Sequence, residues 1–464
     1  MARPPKITAR DLEIRLKADG PTAAAELAMR LGVDRSTITR TLAGLGSNLA
    51  SLGATRRTRY ALRRKVREIA NSFPIYRIDD EGRAEAWGTL EALHGAWRVS
   101  WSGPAPEWVA RFADPEGLWN GLPFFLGQLR PDGFLGRAIM RPAARAYRLP
   151  EDPRHWEEDD TVAFLASGGE DLPGDLVLGD DCLRRALALQ VTAAAETTLA
   201  PHQAMTRYPE MAARAATDPP AGASLGGEQP KFLATLEESG VERRQVLVKF
   251  SPPMSQALGR RWADLMAMEF HALAILAEVG LADTGQRLID AGGRRFLEVP
   301  RFDRSTAGGR AGLVSLDALH RSATGGNPGA WTERVADLER LGLVDAAALR
   351  DTRRLQAFGE LIGNTGMEPD NLAFRMSDSL PFTLAPAYDM LPMLWAPGPQ
   401  GELMDRVFAP QPPVPAAADA WREMLGHARE FWNRVIADQR VSREFAATAR
   451  AAGETLARLA GRFG

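Results

Sequence analysis

The rhythm of apolar and polar positions divides the 464-residue chain into stretches that should fold differently. Over residues 9–19, Leu12, Ile14 and Leu16 stand among charges, which predicts a short helix. A second helix is expected from Pro21-Thr22, with Ala25, Leu27 and Leu31 apolar, ending at Gly32. After a tight Gly32-Val33-Asp34 turn, Asp34 is placed to cap a third helix, Arg35–Leu45. Ile38, Leu42 and Leu45 line one face of it, leaving Arg35, Ser36, Thr37, Thr39 and Arg40 to point elsewhere. Residues 49–62 read as two short extended runs about Gly53, with Arg56 and Arg57 at the tip.

Further along, short apolar and polar runs alternate over 70–115, which suggests a small β-rich connector. The Pro/Gly/Asp-rich region 149–181 reads as loops. Gln245–Phe250 alternates as a strand does, with Lys249 its one cation. From about residue 255 the period becomes helical: residues 262–278 carry a long apolar face that Gly280 ends, and 417–462 form an Ala/Arg/Glu-rich helical tail.

Charge sharpens this division. Residues 1–70 hold 15 Lys/Arg and 6 acids, a net +9, so the −2 of the whole chain leaves −11 for the remainder. Two helices across a glycine-bearing turn, the second rich in short polar residues and arginine, are the signature of a helix-turn-helix, and the run after them looks like a wing. A basic head on an acidic body fits duplex DNA as a partner, with Arg35, Ser36, Thr37, Thr39, Arg40, Arg56 and Arg57 as the contacting residues. Composition excludes other classes. The single cysteine, Cys182, rules out an internal disulfide or a cysteine-based zinc site, and the six histidines have no metal-ligand spacing. Without an apolar run of membrane length or a signal-peptide core, a cytoplasmic protein with no membrane partner is expected.

The candidate chemistry lies in the second half. Ser224-Leu-Gly-Gly-Glu-Gln-Pro-Lys231 precedes an apolar run, and Gly226 and Gly227 let backbone amides face phosphate oxygens. Lys249, among apolar neighbours, needs an anion, and nucleotide phosphates are the kinase answer. Glu269, on the next helix, is its possible second partner. Asn371 and Asp389 have the types and order of the residues that hold ATP-bound magnesium in protein-kinase-like enzymes. The catalytic Asp of such a loop lies five residues before the Asn; here that position is Gly366, which can neither accept a proton nor orient a hydroxyl. Glu368 and Asp370 are the candidate substitutes.

Taken together, Ser224–Lys231, Val248-Lys-Phe250, Glu298–Asp303, Leu361–Asn364 and Leu384–Asp389 resemble the HipA family of serine/threonine kinases from bacterial toxin–antitoxin systems, over roughly residues 120–450. The N-terminal segment makes the chain similar to the YjjJ-like branch, where a helix-turn-helix is fused to the toxin-like kinase. The resemblance implies ATP and Mg²⁺ as cofactors and a nucleotide site of Ser224, Gly226, Gly227, Glu228, Gln229, Lys231 and Lys249. It implies a hinge whose backbone near Glu298 and Val299 meets adenine, and a metal site of Asn371 and Asp389. Ser224 stands where the family carries a serine that can be autophosphorylated. The family's catalytic loop reads Asn-Thr-Asp-x-His-x-x-Asn; Gly366 and Glu368 replace its Asp and His.

The expected fold is α+β: a winged helix-turn-helix over 1–70, a β-rich connector over 71–120, a kinase N-lobe over 121–300 and a helical C-lobe over 301–464. The expected partners are duplex DNA, a protein substrate, and an antitoxin or a second copy of the chain. These features support two functions. One is a toxin-type ATP/Mg-dependent protein kinase, weakened or altered at Gly366; the other is a DNA-binding regulator with a nucleotide-binding pseudokinase domain.

Overall fold

The computed structural model describes residues 7–54, 58–191, 197–217, 229–238, 242–404 and 406–463. At the N-terminus, α1 (Ala9–Asp19), β1 (Thr22–Ala23), α2 (Ala24–Leu31), α3 (Arg35–Leu42), β2 (Leu49–Leu52) and β3 (Arg59–Leu62) enclose Leu12, Leu16, Leu27, Ile38 and Leu42. The three strands form a sheet in the order β1-β3-β2. Gly32 closes α2 in the left-handed region, where a Cβ would be strained. Two expectations shift here. The second helix starts at Ala24 because Thr22–Ala23 pairs with β3, and the third ends at Leu42. Asp34 precedes α3 but makes no side-chain cap.

The head is fastened to the body behind it. Ala50, Leu52 and Ala61 pack with Leu93 and Leu118, and Arg59 pairs with Asp114 and, at 2.7 Å, with Glu116. Arg63 reaches Glu91 at 3.1 Å, Arg64 grips both oxygens of Asp159 at 2.5 and 2.6 Å, and Arg67 pairs with buried Asp160. Much of the head's positive charge is therefore answered by acids of the body.

A five-stranded sheet comes next: β4 (Ser72–Ile78), β5 (Ala84–Leu93), β6 (Ala96–Trp101), β7 (Leu118–Trp119) and β8 (Leu176–Leu178), ordered β7-β6-β5-β4-β8. Around it lie α4 (Phe124–Gly127), α5 (Gly133–Tyr147), α6 (Glu158–Gly168) and α7 (Asp180–Val191). The sheet thus continues to Leu178, well past residue 120, where the connector was expected to stop. The loops expected over 149–181 instead contain α6 and β8. Helix α6 starts where the Asp160 carboxylate accepts from Glu157 N at 3.0 Å, and it buries Val162, Phe164 and Leu165.

The second large sheet joins β9 (Thr198–Leu199), β10 (Lys231–Glu238), β11 (Glu242–Phe250), β12 (Arg287–Ala291) and β13 (Arg294–Pro300), with α8 (Ala204–Thr217) and α9 (Ala257–Glu278) beside it. One face of β10 and β11 packs Phe232, Ala234, Val246, Val248 and Phe250 against Tyr208, Met211 and Ala212 of α8. By the two-residue period of a strand, Lys231, Leu247 and Lys249 take the other face. The remainder is largely helical: α10 (Leu316–Thr324), α11 (Trp331–Arg340), α12 (Ala346–Ile362), α13 (Ala418–Ala437) and α14 (Arg443–Phe463), with the small sheet β14 (Leu313–Ser315), β15 (Ala373–Arg375) and β16 (Thr383–Leu384). Among the described residues, no helix is long and apolar enough to cross a membrane.

Candidate active site

Lys249 organises the cleft between β11, α9 and the segment after β16. It is 4% exposed, and its ammonium donates to both oxygens of Glu269, at 2.6 and 2.8 Å, and to Asp389. Burial alone would lower the lysine's pKa, but the charges of Asp389 and Glu269 outweigh it and hold the group well above its ordinary value. Asp389 shows the mirror image: burial would raise it, yet Lys249 and then Lys231 pull it down to about 2. Glu269, enclosed within α9, is raised chiefly by burial, against the opposing pull of Lys249. Lys231 pulls on both carboxylates as well, so two lysines and two acids balance one another in the cluster. Asp389 also sits at φ +53, an uncommon conformation for a residue other than glycine.

Strand register brings Lys231 directly opposite Lys249. Like charges so placed repel unless an anion lies between or beside them. The Glu269 and Asp389 carboxylates supply that anion, and phosphate oxygens suit the same two lysines. Gln229, just before β10, has a buried Nε2 without a hydrogen-bond partner, so an acceptor is wanted there. Ser224, Gly226, Gly227 and Glu228 lie outside the described residues.

At the hinge expected near Glu298 and Val299, Glu298 has β11 on one side and β12 on the other, and its buried side chain accepts from Tyr208 Oη at 2.7 Å and from Arg244 at 3.3 Å. Val299 pairs with Leu247 of β11, in step with the Arg301–Gln245 and Ser251–Arg295 main-chain bonds, so its own main-chain groups face β11. Beyond it, Phe302 faces Tyr388 with ring centroids 5.7 Å apart.

The catalytic loop is built around its glycine. Helix α12 ends at Gly363 in the left-handed region, and Asn364 then turns back so that Oδ1 accepts from Gly366 N at 2.9 Å. From the other end, Asn371 Nδ2 donates to Gly366 O at 2.9 Å, which leaves Asn371 Oδ1 available to a metal. Two asparagines therefore clamp one peptide where a catalytic carboxylate was expected. A Cβ on Gly366 would meet Met393 Cγ at 3.0 Å, so Met393 must yield a few tenths of an ångström to any side chain there. Glu368 is exposed, and its carbonyl accepts from Trp331 Nε1 at 2.9 Å. The Asp370 carbonyl accepts from Tyr388 Oη at 2.7 Å. The Asp370 carboxyl is raised, chiefly by burial and then by Asp317 and Asp132, while Ser315 opposes the rise.

The residues marked for metal and phosphate thus converge on one cleft: Lys231, Lys249 and Asp389, with Asn371 on the loop. This fits a nucleotide with magnesium, since such an ion is typically held by one or two protein oxygens together with substrate phosphates. Tyr388 and Tyr208 take no role from the chain alone; Tyr388 had a signal in its place beside Asp389, and Tyr208 had none. At the other end of the molecule, Arg35, Ser36, Thr39 and Arg40 are exposed on α3 and Thr37 is half-buried, while Arg56 and Arg57 lie outside the described residues.

Comparison with known proteins agrees with this architecture. Residues 69–187 match the model of the YjjJ-like toxin middle domain, and residues 223–457 match that of the HipA-like C-terminal domain. Toxin YjjJ of Escherichia coli K12 is 35% identical over 433 residues, covering 93% of this chain and 94% of its own length. Among solved structures, HipA of Shewanella oneidensis MR-1, in a complex with HipB and operator DNA, superposes with a TM-score of 0.52 at 16% identity, over 84% of this chain and 97% of that one.

Proposed function

Because the chain belongs to the HipA-like toxins and to their YjjJ-like branch, we propose that it is an ATP/Mg-dependent serine/threonine protein kinase of the toxin type, fused to a winged helix-turn-helix that binds duplex DNA. The observation that carries the reading is the buried Lys249–Glu269–Asp389 cluster, with Lys231 opposite Lys249. Lys249 and Lys231 bind nucleotide phosphates, Glu269 keeps Lys249 charged and aimed, and the hinge backbone near Glu298 and Val299 meets the base. Asn371 and Asp389 would hold the magnesium, which would supply positive charge to offset that of the phosphates. Transfer goes to a hydroxyl of a protein substrate, positioned by the 364–371 loop.

Gly366 favours a second reading. With no carboxylate at that position, the domain binds nucleotide but transfers phosphate slowly or not at all, and the protein acts as a DNA-binding regulator with a pseudokinase domain. Asp370, whose raised pKa suits a base, and Glu368 are the residues that would return activity to the first reading. Arg35, Ser36, Thr37, Thr39 and Arg40 meet the DNA in both. The HipB and DNA of the solved HipA complex favour an antitoxin partner alongside DNA. A cytoplasmic location fits all of these roles.

The deciding experiment pairs Mg-ATP thermal stabilisation with transfer of radiolabelled γ-phosphate. Stabilisation with transfer supports the kinase, and stabilisation without transfer the pseudokinase. Indifference to millimolar Mg-ATP overturns both, because a ligand of the folded state must raise the melting temperature.

A further inference from the structure

A cavity of about 890 Å³ opens beside β10, away from Lys249, Glu269, Asn371 and Asp389, none of which lines it. Helices α5, α7 and α8 wall it, with Phe134, Ile139, Leu189 and Met211 among its apolar surfaces. Among the described residues, seven Arg or Lys line it against a single acid, Asp171, which makes this lining cationic.

Part of that charge is answered inside the fold. Arg301 reaches Asp171 at 2.8 Å and Asp303 at 3.1 Å, and Arg243 reaches Glu237 at 3.0 Å. Arg310 is different. It is 6% exposed, donates from Nη2 to the Glu170 carbonyl at 2.6 Å, and has no partner at Nη1. Arg301, Arg304 and Arg310 are gathered about Asp171 and Asp303, with buried Asp175, which Arg77 also holds, acting on Arg310 from the other side. Burial, with Arg304 next to it, pushes Arg310 down to about 9. Holding a guanidinium in such a place is costly without an anion.

We propose that this cavity is a second anion site, which takes a small organic phosphate: its phosphate meets the arginines, Arg310 among them, and its apolar or aromatic body lies against the Phe134 and Met211 wall. The volume suits a ligand of that size, and guanidinium forks match phosphate oxygens. Thr235 and Gln245, which line the cavity, pair four residues along the strands from Lys231 and Lys249. That is ~13 Å at a strand's rise, so only Lys231 borders both places.

Calorimetric titration of the full chain with ADP and with pyrophosphate, without magnesium, tests the site. Lys249→Met should still bind both probes, ADP more tightly because it has a body to bury. Arg145, exposed on the rim, can be changed without disturbing the core. Arg145→Glu should weaken both probes about tenfold or more, roughly the effect of 1.4 kcal/mol, and leave the Mg-ATP thermal shift intact. Arg310→Gln should do the same if it folds. Binding that vanishes in Lys249→Met and survives Arg145→Glu would put the anion in the cleft and overturn the proposal, as would silence toward millimolar probe or equal affinity for ADP and pyrophosphate. Should wild type ignore Mg-ATP yet bind ADP in the Arg145-dependent way, the kinase reading fails and this one stands.

Discussion

The Lys249 cleft and the 364–371 loop are neighbours made by opposite means. In the cleft, buried Lys249 and Glu269 and half-buried Asp389 fix one another, and none can be removed without stranding the rest. In the loop, neutral asparagine amides hold a bare peptide, and the group expected to do chemistry is absent. On the proposed function, the groups that would bind nucleotide are kept while the loop carries no base. The contrast then predicts that affinity for nucleotide and capacity to transfer phosphate can be separated by mutation.

The strongest way to break the contrast is to give the loop its carboxylate. Gly366→Asp should raise γ-phosphate transfer by roughly 10²–10⁴-fold, the usual contribution of a positioned base, with little change in Mg-ATP affinity. Met393→Ala added to it should help if the 3.0 Å contact limits the gain. Unchanged transfer rates in both would mean that the loop is not what holds activity down.

Removing the ammonium attacks the other side. Lys249→Ala leaves Glu269 and Asp389 facing one another, and ~3–5 kcal/mol should be lost in urea unfolding, together with the Mg-ATP thermal shift. A stable variant that still responds to Mg-ATP would contradict the account of the cleft.

Acid should expose the cleft more gently. Asp389 is held at about 2, below the ~3.9 of an unfolded aspartate, so its contribution is present above pH 4 and lost as pH falls through about 2. Its partly exposed side chain limits this to ~2 kcal/mol or less. The gap in urea midpoint between wild type and Asp389→Asn should therefore narrow from pH 7 to pH 3. A gap that widened would reverse the sign of the linkage.

The smallest effects belong to the head. Arg35→Ala and Arg40→Ala should each reduce the slope of log affinity for duplex DNA against log salt by ~1, and leave nucleotide binding alone. Unchanged slopes would move any DNA contact off α3.

The cleft was legible in the chain because its chemistry is written in local runs: a lone lysine in an apolar strand, an Asn ahead of a strand, an Asp after one. The long helix through Glu269 was equally plain, since its apolar face repeats. What escaped depends on distant partners. Helix α6 begins with Glu157–Asp160, a run that reads as loop until Asp160 is seen to serve both Glu157 N and Arg67. The bonds of Glu298 to Tyr208 and Arg244 likewise come from elements far along the chain. The cationic cavity could not be read at all, because its lining comes from residues between 134 and 310.

The seam between head and body has a consequence for how this polypeptide can be divided, by an investigator or by evolution. A break after residue 70 would uncover Leu93 and Leu118, strand Asp159 and Asp160 without Arg64 and Arg67, and open the apolar side of β2 and β3 to water. The two fragments would be adhesive rather than autonomous. Exchange of the N-terminal segment between relatives should therefore require that Glu91, Leu93, Asp114, Leu118 and Asp159 travel with it.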